Sequence, residues 1–422
     1  MSSLYATFLA SKGVTTDTRR CEPGMMFFAL RGESFNGNEF AAKALEAGCV
    51  CAVVDEAAYA TDERCVLVPD VLAALQDLAA THRQAMGEQG LRVLQITGTN
   101  GKTTTKELCA AVLSRCYNVL YTEGNLNNHI GVPLTLLRLR PEHTVAVIET
   151  GANHPGEIAA LTRIVQPDYG LITNVGRAHL EGFGGFEGVM RTKGELYDWL
   201  AANGRPAFVN LGSDDLCDMA TDRESLMLIP YLPGEAVAHD GATMRVSVLG
   251  REFDTNLVGD YNADNVRAAA TVGRTFGVGD DQIVEAIGGY APSNNRSQLL
   301  RTDRNTLIVD AYNANPSSMA VALDNFAHVH APHKMLILGD MRELGAESEA
   351  EHRRIYEQAL TVGADTLWFV GTEFAKVATA PSRVFPTVEE VKAALADSPV
   401  SDRTILIKGS NGTRLFQLPP LL

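Results

Sequence analysis

The chain has 422 residues, of which 45% are hydrophobic and 21% are charged. This balance excludes a disordered, collagen-like or coiled-coil chain, and the length corresponds to about three domains. The 51 acidic residues outnumber the 36 basic ones and give a formal charge of −15, which disfavours general binding to nucleic acid or to an anionic membrane. A small phosphorylated ligand is still allowed, because it needs only a local cluster of donors.

The seven cysteines are an odd number without a CxxC pair, which predicts reduced thiols rather than a disulfide framework or a zinc site. The first residues lack the basic region and apolar stretch of a signal peptide. No run reaches the roughly 20 apolar residues that span a bilayer. These features predict a cytoplasmic, soluble protein without membrane insertion.

The first predicted α/β block covers residues 1–90. Short apolar strands are expected at residues 26–30, 50–54 and 66–68. An amphipathic helix is expected from Asp70, because apolar residues recur at helical spacing behind this aspartate. The polar segment GEQG at residues 87–90 predicts a hinge to the next block.

The second block covers residues 91–293 and the third covers residues 294–422. In both, apolar strands alternate with helices, which predicts mostly parallel sheets covered on both faces. A hairpin about Gly250 and a helix from Asn262 are also expected in the second block. The strands are expected at 93–97, 145–148, 171–173, 207–210, 307–309, 335–338, 366–370 and 405–407.

The strongest local signal is the segment GTNGKT at residues 98–103, between a strand and a helix predicted over residues 104–115. Glycines let the backbone curl so that its N–H groups and the helix N-terminus face a phosphate. Lys102 is expected to reach the β- and γ-phosphates, and the Thr103 hydroxyl is expected to bind Mg²⁺. The alternative is a plain glycine-rich turn, since the first glycine of the usual pattern would fall at Ile96. The expected nucleotide contacts are Gly98, Thr99, Asn100, Gly101, Lys102, Thr103 and Thr104.

Four motifs together resemble the Mur ligase family in sequence, order and spacing. They are ITGTNGKTTTK (96–106), TEGNLNNHIGVPLTLL (122–137), ETGANHPGEI (149–158) and TNVGRAHLEGFG (173–184). The resemblance implies an ATP-dependent enzyme that joins an amino acid or dipeptide to a growing cell-wall peptide. It also implies an N-terminal UDP-substrate-binding domain (1–90), a central P-loop NTPase-like domain (91–293) and a C-terminal Rossmann-like domain (294–422).

The same resemblance implies a site for two Mg²⁺ ions. Glu149 and His179 would bind them beside Thr103, and Lys193 would take up CO₂ to become an anionic carbamate ligand. Lys102, His179 and Lys193 are thus the expected catalytic residues. Three of these site residues have a plainer alternative: a structural cap or a solvated charge for Glu149, a structural histidine for His179, and an exposed helix lysine for Lys193. No role follows for Arg177.

Nucleotide and substrate contacts are also implied by the resemblance. Asn262 and Asn265 would lie near the adenine, with helix capping as the alternative. Arg296 and Asp310 would approach the ATP phosphates and ribose, although an Asn-Pro turn is a competing account. The substrate-binding residues implied are Thr16, Asp17, Thr18, Arg19, Asn125, Asn127, Asn128, Asn313, Asn315, Lys408 and Ser410. A solvated turn is the alternative for Arg19, and turn formation for Asn125, Asn127 and Asn128.

Within the family, the motifs GDMRELG (339–345) and KGS (408–410) favour an enzyme that adds D-alanyl-D-alanine to UDP-N-acetylmuramoyl-tripeptide through an acyl phosphate. The Asp-Asn-Pro-Arg sequence of the diaminopimelate-adding ligase is absent. A folylpolyglutamate synthetase is the nearest alternative, and the N-terminal DTR and FFAL segments disfavour it. A non-catalytic nucleotide sensor is another, but it would not need Glu149, His179 and Lys193 together. A monomer is expected, and the third residue of the peptide, lysine or diaminopimelate, stays open.

Overall fold

Three mainly parallel sheets follow one another along the chain, which confirms the predicted α/β class. The computed structural model describes residues 3–32, 34–178, 180–237, 243–292 and 296–422. None of the helices in these ranges is both long and apolar enough to span a membrane. The seven cysteines all lie within the described residues and are free thiols, as the sequence predicts.

The N-terminal sheet has four parallel strands in the order β1-β2-β5-β6, and β3 and β4 form a small separate hairpin. Helix α3 begins behind Asp70 as predicted, because the Asp70 carboxylate accepts a hydrogen bond from the backbone N–H of Ala73 at 2.8 Å. The elements are α1 Ser3–Ala10, β1 Val14–Thr15, β2 Met26–Phe28, β3 Arg31–Gly32, β4 Phe35–Asn36, α2 Ala41–Glu46, β5 Cys51–Val54, β6 Cys65–Leu67 and α3 Val71–Glu88.

Helix α3 continues through Glu88, so the predicted hinge at residues 87–90 is wrong in its first half. A Cβ at position 87 would lie 2.4 Å from the guanidinium of Arg83. That guanidinium is buried and donates to the Val165 carbonyl at 3.0 Å and to Asp168 at 2.8 Å. Gly87 therefore makes room for a buried arginine instead of ending the helix.

The N-terminal and central domains share one apolar core. Leu75 and Leu78 of α3 lie in the same buried cluster as Val93 at the start of the central sheet and Leu136 of the central domain. Because apolar burial is the main stabilising contribution to a fold, this shared cluster fixes the two domains to each other.

The central sheet has six parallel strands in the order β12-β11-β10-β7-β9-β8, with helices on both faces as predicted. A three-stranded antiparallel sheet includes the hairpin predicted about Gly250. The elements are β7 Arg92–Thr97, α4 Lys102–Leu113, β8 Val119–Tyr121, α5 Gly131–Leu136, β9 Val145–Glu149, α6 Glu157–Val165, β10 Tyr169–Ile172, α7 Leu180–Phe183, α8 Phe186–Ala202, β11 Pro206–Asn210, α9 Asp214–Thr221, β12 Met227–Tyr231, β13 Glu235–Val237, β14 Arg245–Val248, β15 Arg251–Asp254, α10 Asn262–Thr275 and α11 Asp280–Gly289.

Helix α4 begins at Lys102 and ends at Leu113, two residues earlier at each end than predicted. Gly101 precedes it with a left-handed φ of 76°, which a glycine adopts without strain. The turn from β7 into the helix is therefore tighter than the sequence pattern suggested.

The C-terminal sheet has six strands in the order β16-β17-β21-β18-β19-β20, and only β16 is antiparallel to its neighbour. Buried apolar clusters cover both of its faces. The elements are β16 Gln298–Arg301, β17 Asn305–Asp310, α12 Pro316–His328, β18 Lys334–Gly339, α13 Ser348–Thr361, β19 Thr366–Val370, α14 Phe374–Val377, β20 Arg383–Phe385, α15 Val388–Asp397 and β21 Arg403–Lys408.

Candidate active site

A cavity of about 970 Å³ lies between the central and C-terminal domains, at the carboxyl ends of β7, β9 and β17. In open α/β sheets ligands bind at this edge. Four cations line the cavity, namely Lys102, Lys193, Arg296 and Lys408. Five carboxylates line it as well, namely Glu149, Glu157, Asp264, Asp310 and Glu343, and Asp310 pairs with Lys408. The positive charge that a phosphorylated ligand needs is therefore local, at Lys102 and Arg296.

The loop between β7 and α4 depends on its glycines. A Cβ at Gly98 would lie 2.1 Å from the Thr173 hydroxyl, and one at Gly101 would lie 2.5 Å from Oδ1 of Asn265. The backbone N–H of Asn100 donates to Oδ1 of Asn174 at 2.9 Å, which ties the loop to the end of β10. Neighbouring segments therefore hold the loop from two sides.

Lys102 folds back over this loop. Its ammonium donates to the carbonyl oxygens of Gly98 at 2.8 Å and Thr99 at 2.9 Å. Burial lowers the pKa of Lys102 to about 8. The negative charge of Glu149 raises this pKa, and the positive charge of Arg296 lowers it, but both effects are smaller than that of burial. The lysine is thus a desolvated cation at the N-terminus of α4, where a phosphate group would be attracted.

Glu149 ends β9 and is 1% exposed. Its Oε2 accepts a hydrogen bond from the Thr103 hydroxyl at 2.9 Å, and its Oε1 accepts one from Nδ2 of Asn127 at 2.8 Å. The carboxylate is therefore held by two residues that face it inside the domain, and it is not the solvated charge of the plainer alternative. Hydroxyl and carboxylate oxygens are donors that suit Mg²⁺.

His179 lies outside the described residues, so its predicted role has no structural account. Among the residues that the structure does describe, no group of three His, Cys, Asp or Glu side chains comes together as a metal cluster.

Lys193 is buried and lines the cavity, with 3% of its surface exposed. Its Nζ lies 5.4 Å from the centre of the Phe183 ring. Burial lowers the pKa of Lys193 to about 7, and the charge of Lys102 lowers it further. The interpretation of Lys193 as an exposed helix lysine is wrong.

Lys106 was missed by the sequence reasoning. It is fully buried, donates to the Thr122 carbonyl at 2.6 Å, and lies 4.0 Å from Oε2 of Glu149. The available signal was its position four residues after Lys102, which places both side chains on one face of α4. The positive charge of Lys106 is opposite in sign to that of the Glu149 carboxylate, so the two side chains attract each other.

Asn262 and Asn265 form a buried chain of side chains beneath the loop. The Thr105 hydroxyl donates to Asn265 at 3.0 Å, Asn265 donates to Asn262 at 2.8 Å, and Asn262 donates to the Val258 carbonyl at 2.9 Å. Tyr261 occupies the N-cap position of α10, so helix capping by Asn262 is wrong. Both asparagines line the cavity.

The C-terminal domain supplies the opposite wall. Asp310 at the end of β17 pairs with the ammonium of Lys408, and the Arg296 guanidinium lies 3.9 Å from the centre of the Tyr312 ring. Asn315 caps α12 by accepting from the Ser318 N–H at 2.8 Å, while its Nδ2 donates to Oδ1 of Asn100 at 2.9 Å. Asn315 therefore both forms the predicted turn before α12 and contacts the opposite wall of the cavity.

The remaining asparagines behave differently from one another. Asn125, Asn127, Asn128 and Asn313 all line the cavity. Oδ1 of Asn128 accepts from the backbone N–H of Gly131 at 2.9 Å, so this side chain also shapes the start of α5. Oδ1 of Asn313 accepts from the backbone N–H of the next residue at 2.9 Å.

Thr103 is 1% exposed and does not line this cavity, and two further predicted groups are also not among its lining residues. The segment from Thr16 through Asp17 and Thr18 to Arg19 is one; there the Arg19 guanidinium pairs with Asp17 at 2.7 Å. The Arg19 hydrogen bond holds the pKa of Asp17 down at about 2. Ser410 is the other: it is buried, and its hydroxyl is 3.5 Å from the Ala314 carbonyl. Their predicted substrate contacts stay predictions.

Arg177, to which the sequence assigned no role, joins the two walls of the cavity. Its NH1 lies 3.7 Å from Oε1 of Glu351 and 4.0 Å from Oε2 of Glu347, both in the C-terminal domain. Its backbone N–H donates to the Ser317 hydroxyl at 3.1 Å. No local pattern indicates this contact, because the nearest of these partners along the chain, Ser317, lies 140 residues away in the next domain.

The chain matches the Mur ligase middle domain over residues 96–273, the Mur ligase glutamate ligase domain over 295–411 and the Mur ligase family catalytic domain over 11–83. It is 37% identical over 424 residues to the UDP-N-acetylmuramoyl-tripeptide–D-alanyl-D-alanine ligase of Escherichia coli K12, covering 96% of this chain and 92% of that protein. The chain belongs to the Mur ligase family. The resemblance inferred from the four motifs is thereby confirmed.

Two further relatives agree. The chain is 36% identical to the enzyme of the same name from Bacillus subtilis strain 168, over 81% of this chain and 76% of that protein. A crystal structure of MurF from Acinetobacter baumannii superimposes with a TM-score of 0.86 at 30% identity, covering 98% of this chain and 97% of the other. The three-domain Mur ligase architecture expected from the sequence is therefore present.

Proposed function

We propose that this Mur ligase joins D-alanyl-D-alanine to UDP-N-acetylmuramoyl-tripeptide, with conversion of ATP to ADP and phosphate, in peptidoglycan precursor synthesis. The observation that carries the proposal is the match along nearly the whole chain to the Escherichia coli ligase of that name. The cavity supports it, because a phosphate-binding loop and a second cationic wall face each other across one space.

The ATP phosphates would lie on the loop at residues 98–102. Its glycines allow the close contact with Thr173 and Asn265 that holds the loop in place, and the N-terminus of α4 and the Lys102 ammonium provide positive charge there. Arg296 would add a second positive charge from the C-terminal wall, because it lines the same cavity. The Asn262–Asn265 pair would border the nucleotide from below.

The reaction we propose has two steps. The terminal carboxylate of the tripeptide attacks the γ-phosphorus of ATP, so that the bond to the ADP oxygen breaks and an acyl phosphate forms. The amine of D-alanyl-D-alanine then attacks the acyl carbon, loses a proton, and displaces inorganic phosphate. Both steps need charge neutralisation and alignment, which Lys102 and Arg296 would provide.

The Mg²⁺ site we propose consists of Thr103, Glu149, His179 and a carbamylated Lys193. Bound Mg²⁺ would neutralise phosphate charge during transfer. The oxygen donors of Thr103 and Glu149 suit this ion, and the burial of Lys193 leaves much of its amine unprotonated near neutral pH. An unprotonated amine is the form that reacts with CO₂.

Contacts between the two walls support the exclusion of water from the acyl phosphate. Asn315 bonds to Asn100 directly across the cavity, and Arg177 contacts the C-terminal domain at its rim. Water that reached the acyl carbon would compete with the amine, so a closed arrangement favours ligation over hydrolysis.

The test is mass spectrometry of the products after incubation with ATP, Mg²⁺, D-alanyl-D-alanine and each UDP-tripeptide, with lysine or diaminopimelate as third residue. The expected product is the corresponding UDP-pentapeptide, with ADP formed only when both cosubstrates are present. A Lys102→Ala variant is the matched control and should form neither. ADP formation with a folate and glutamate instead, or nucleotide binding without any ligation, would overturn the proposal.

Two further expectations, on location and oligomeric state, accompany this function. We propose that the enzyme works in the cytoplasm, where ATP and UDP-linked precursors occur, and that it is monomeric. The seven free thiols are compatible with a reducing compartment. Sedimentation equilibrium of the full chain tests the monomer.

A further inference from the structure

The turn at residues 258–261, which leads into α10, is held by the C-terminal domain at three points. Val258 is buried in the apolar cluster of the C-terminal domain. The backbone N–H of Asp260 donates to Oδ1 of Asn325 on α12 at 2.8 Å. The hydroxyl groups of Tyr261 and Ser297 form a hydrogen bond with each other.

Ser297 has an unusual backbone. Its φ is 48°, in the left-handed region that residues other than glycine rarely adopt, and the residue is 8% exposed. Such a conformation persists when surrounding contacts hold it. The Tyr261 ring packs against the backbone of Gly259, so closely that a Cβ on Gly259 would lie 2.3 Å from the ring. This contact holds the ring in place. The Tyr261 hydroxyl is therefore a fixed partner for Ser297.

On one side of this hydroxyl pair lies Arg296. It directly precedes Ser297 and its guanidinium is 3.9 Å from the centre of the Tyr312 ring, both at the cavity wall. Because Arg296 and Ser297 share a peptide bond, the backbone torsion at Ser297 orients the peptide plane from which Arg296 also extends, and so helps to place the Arg296 Cα. A contact that holds Ser297 thus also orients Arg296.

On the other side lies the phosphate-binding loop. Tyr261 directly precedes Asn262, and the chain of hydrogen bonds from Asn262 through Asn265 reaches Thr105 on α4. Asn265 also fills the space next to Gly101 in the loop. The hydroxyl pair therefore connects the wall that carries Arg296 to the wall that carries the loop.

We propose that Tyr261 is a positioning residue for nucleotide binding, acting through Ser297 on Arg296. The proposal rests on the proposed function insofar as the cavity binds ATP. Tyr261 need not touch the reacting atoms; its hydroxyl keeps Arg296 directed at the phosphates that the loop binds. Loss of the hydroxyl should then weaken nucleotide binding selectively, while binding of the two other substrates is unaffected.

The experiment compares Tyr261→Phe, Ser297→Ala and the double variant in the full chain. Each single variant should raise the Kd for a non-hydrolysable ATP analogue, and the KM for ATP, about five-fold, as expected for one lost hydrogen bond. The KM values for D-alanyl-D-alanine and the UDP-tripeptide should stay within about two-fold. The double variant should bind the ATP analogue no more weakly than either single variant, because all three variants remove the same Tyr261–Ser297 hydrogen bond.

Tyr356→Phe is the matched control. It removes a tyrosine hydroxyl of the C-terminal domain that donates to the Thr379 carbonyl at 3.1 Å, away from the cavity. It should leave the Kd for the analogue unchanged, although its thermal stability can fall. Melting temperatures of all variants separate unfolding from a binding defect.

Three results would overturn the positioning role. These are an unchanged analogue Kd in Tyr261→Phe, effects of the two single variants that multiply in the double variant, or equal losses for all three substrates. If the wild-type protein makes no pentapeptide yet binds the analogue, the proposed function fails and the Kd comparison still decides the role of Tyr261. If it binds no nucleotide, both fail.

Discussion

The hydroxyl of Thr103 donates a hydrogen bond to Oε2 of Glu149 over 2.9 Å, joining the first turn of α4 to the end of β9. Both residues are almost fully buried, so the pair is set in position before any ligand binds. A buried hydroxyl and carboxylate that already face each other form a preorganised pair of oxygen donors.

We predict from this pair that Thr103→Val, which keeps the side-chain shape, lowers ligation about 10- to 100-fold, the range typical of a perturbed metal site. The deficit should shrink as the Mg²⁺ concentration rises. The measurement is ADP release against Mg²⁺ concentration. Thr135→Val is the control, because its buried hydroxyl bonds only to the Gly131 carbonyl within α5. Equal activity of the two variants would remove Thr103 from the metal site.

Lys193→Ala tests the carbamate. We expect an inactive variant in which millimolar formate or acetate restores part of the rate, because a small carboxylate can occupy the space of the buried side chain and supply anionic oxygens. Neutral acetamide should not restore it, and the same additives should not accelerate the wild type. Retention of most activity by Lys193→Ala without any additive would show that no carbamate is needed. Native mass spectrometry of the wild type should show the added CO₂.

The buried lysines also predict how stability depends on pH. The pKa of Lys193 is lowered to about 7 and that of Lys102 to about 8, against an unfolded value of 10.5. Between pH 7 and 10.5 the unfolded chain therefore binds more protons at these two residues, so their contribution to stability rises with pH across that window. At pH 7 and below, both buried charges oppose folding.

Lys193→Met should therefore be more stable than the wild type at pH 6.5, with a difference that diminishes towards pH 10. Urea unfolding in metal-free buffer without CO₂ measures it, because metal or carbamate would change the charge at this site. A stability difference that stays constant with pH would contradict the lowered pKa of Lys193.

Arg177→Glu tests the contact between the walls of the cavity. It replaces attraction to the buried Glu351 with repulsion and should weaken the closed arrangement by at least about 0.2–1 kcal/mol, the range for ion pairs in which both side chains are exposed. Small-angle scattering without ligand should show a larger radius of gyration. Arg353→Glu is the control, since Arg353 pairs with Glu349 within α13 and not across the cavity. The same increase in both variants would mean that general charge, not the Arg177 contact, is responsible.

The parts of the structure that follow from local patterns were predictable. The inner strands of the central and C-terminal sheets, the start of α3 at Asp70 and the loop before α4 each depend on residues close together in the sequence. The edge strands β8, β12, β16 and β20 were not predicted. The end of β9 at Glu149 follows from the same kind of pattern. Such features are set by hydrophobic periodicity, capping and glycine placement.

The features that depend on distant residues were not predictable. Gly87 looks like a helix breaker until Arg83 is seen lying over it. The burial of Lys193 and Lys106 depends on segments that pack against their helices, and a lysine in an amphipathic helix gives no sign of that. The bond from Asn315 to Asn100 joins residues 215 positions apart, so only the folded chain brings them together.

The apolar cluster that α3 shares with the central sheet determines where the chain can be divided for expression. A fragment that stops near residue 90 would lose the central-domain part of this cluster, including Val93 and Leu136, and the apolar surface so exposed would favour aggregation. A cut just before β16 meets fewer buried apolar residues, because the C-terminal sheet has clusters of its own. For the choice of expression fragments, the chain therefore divides into two parts: a large one that ends after α11 and a small one that begins at β16.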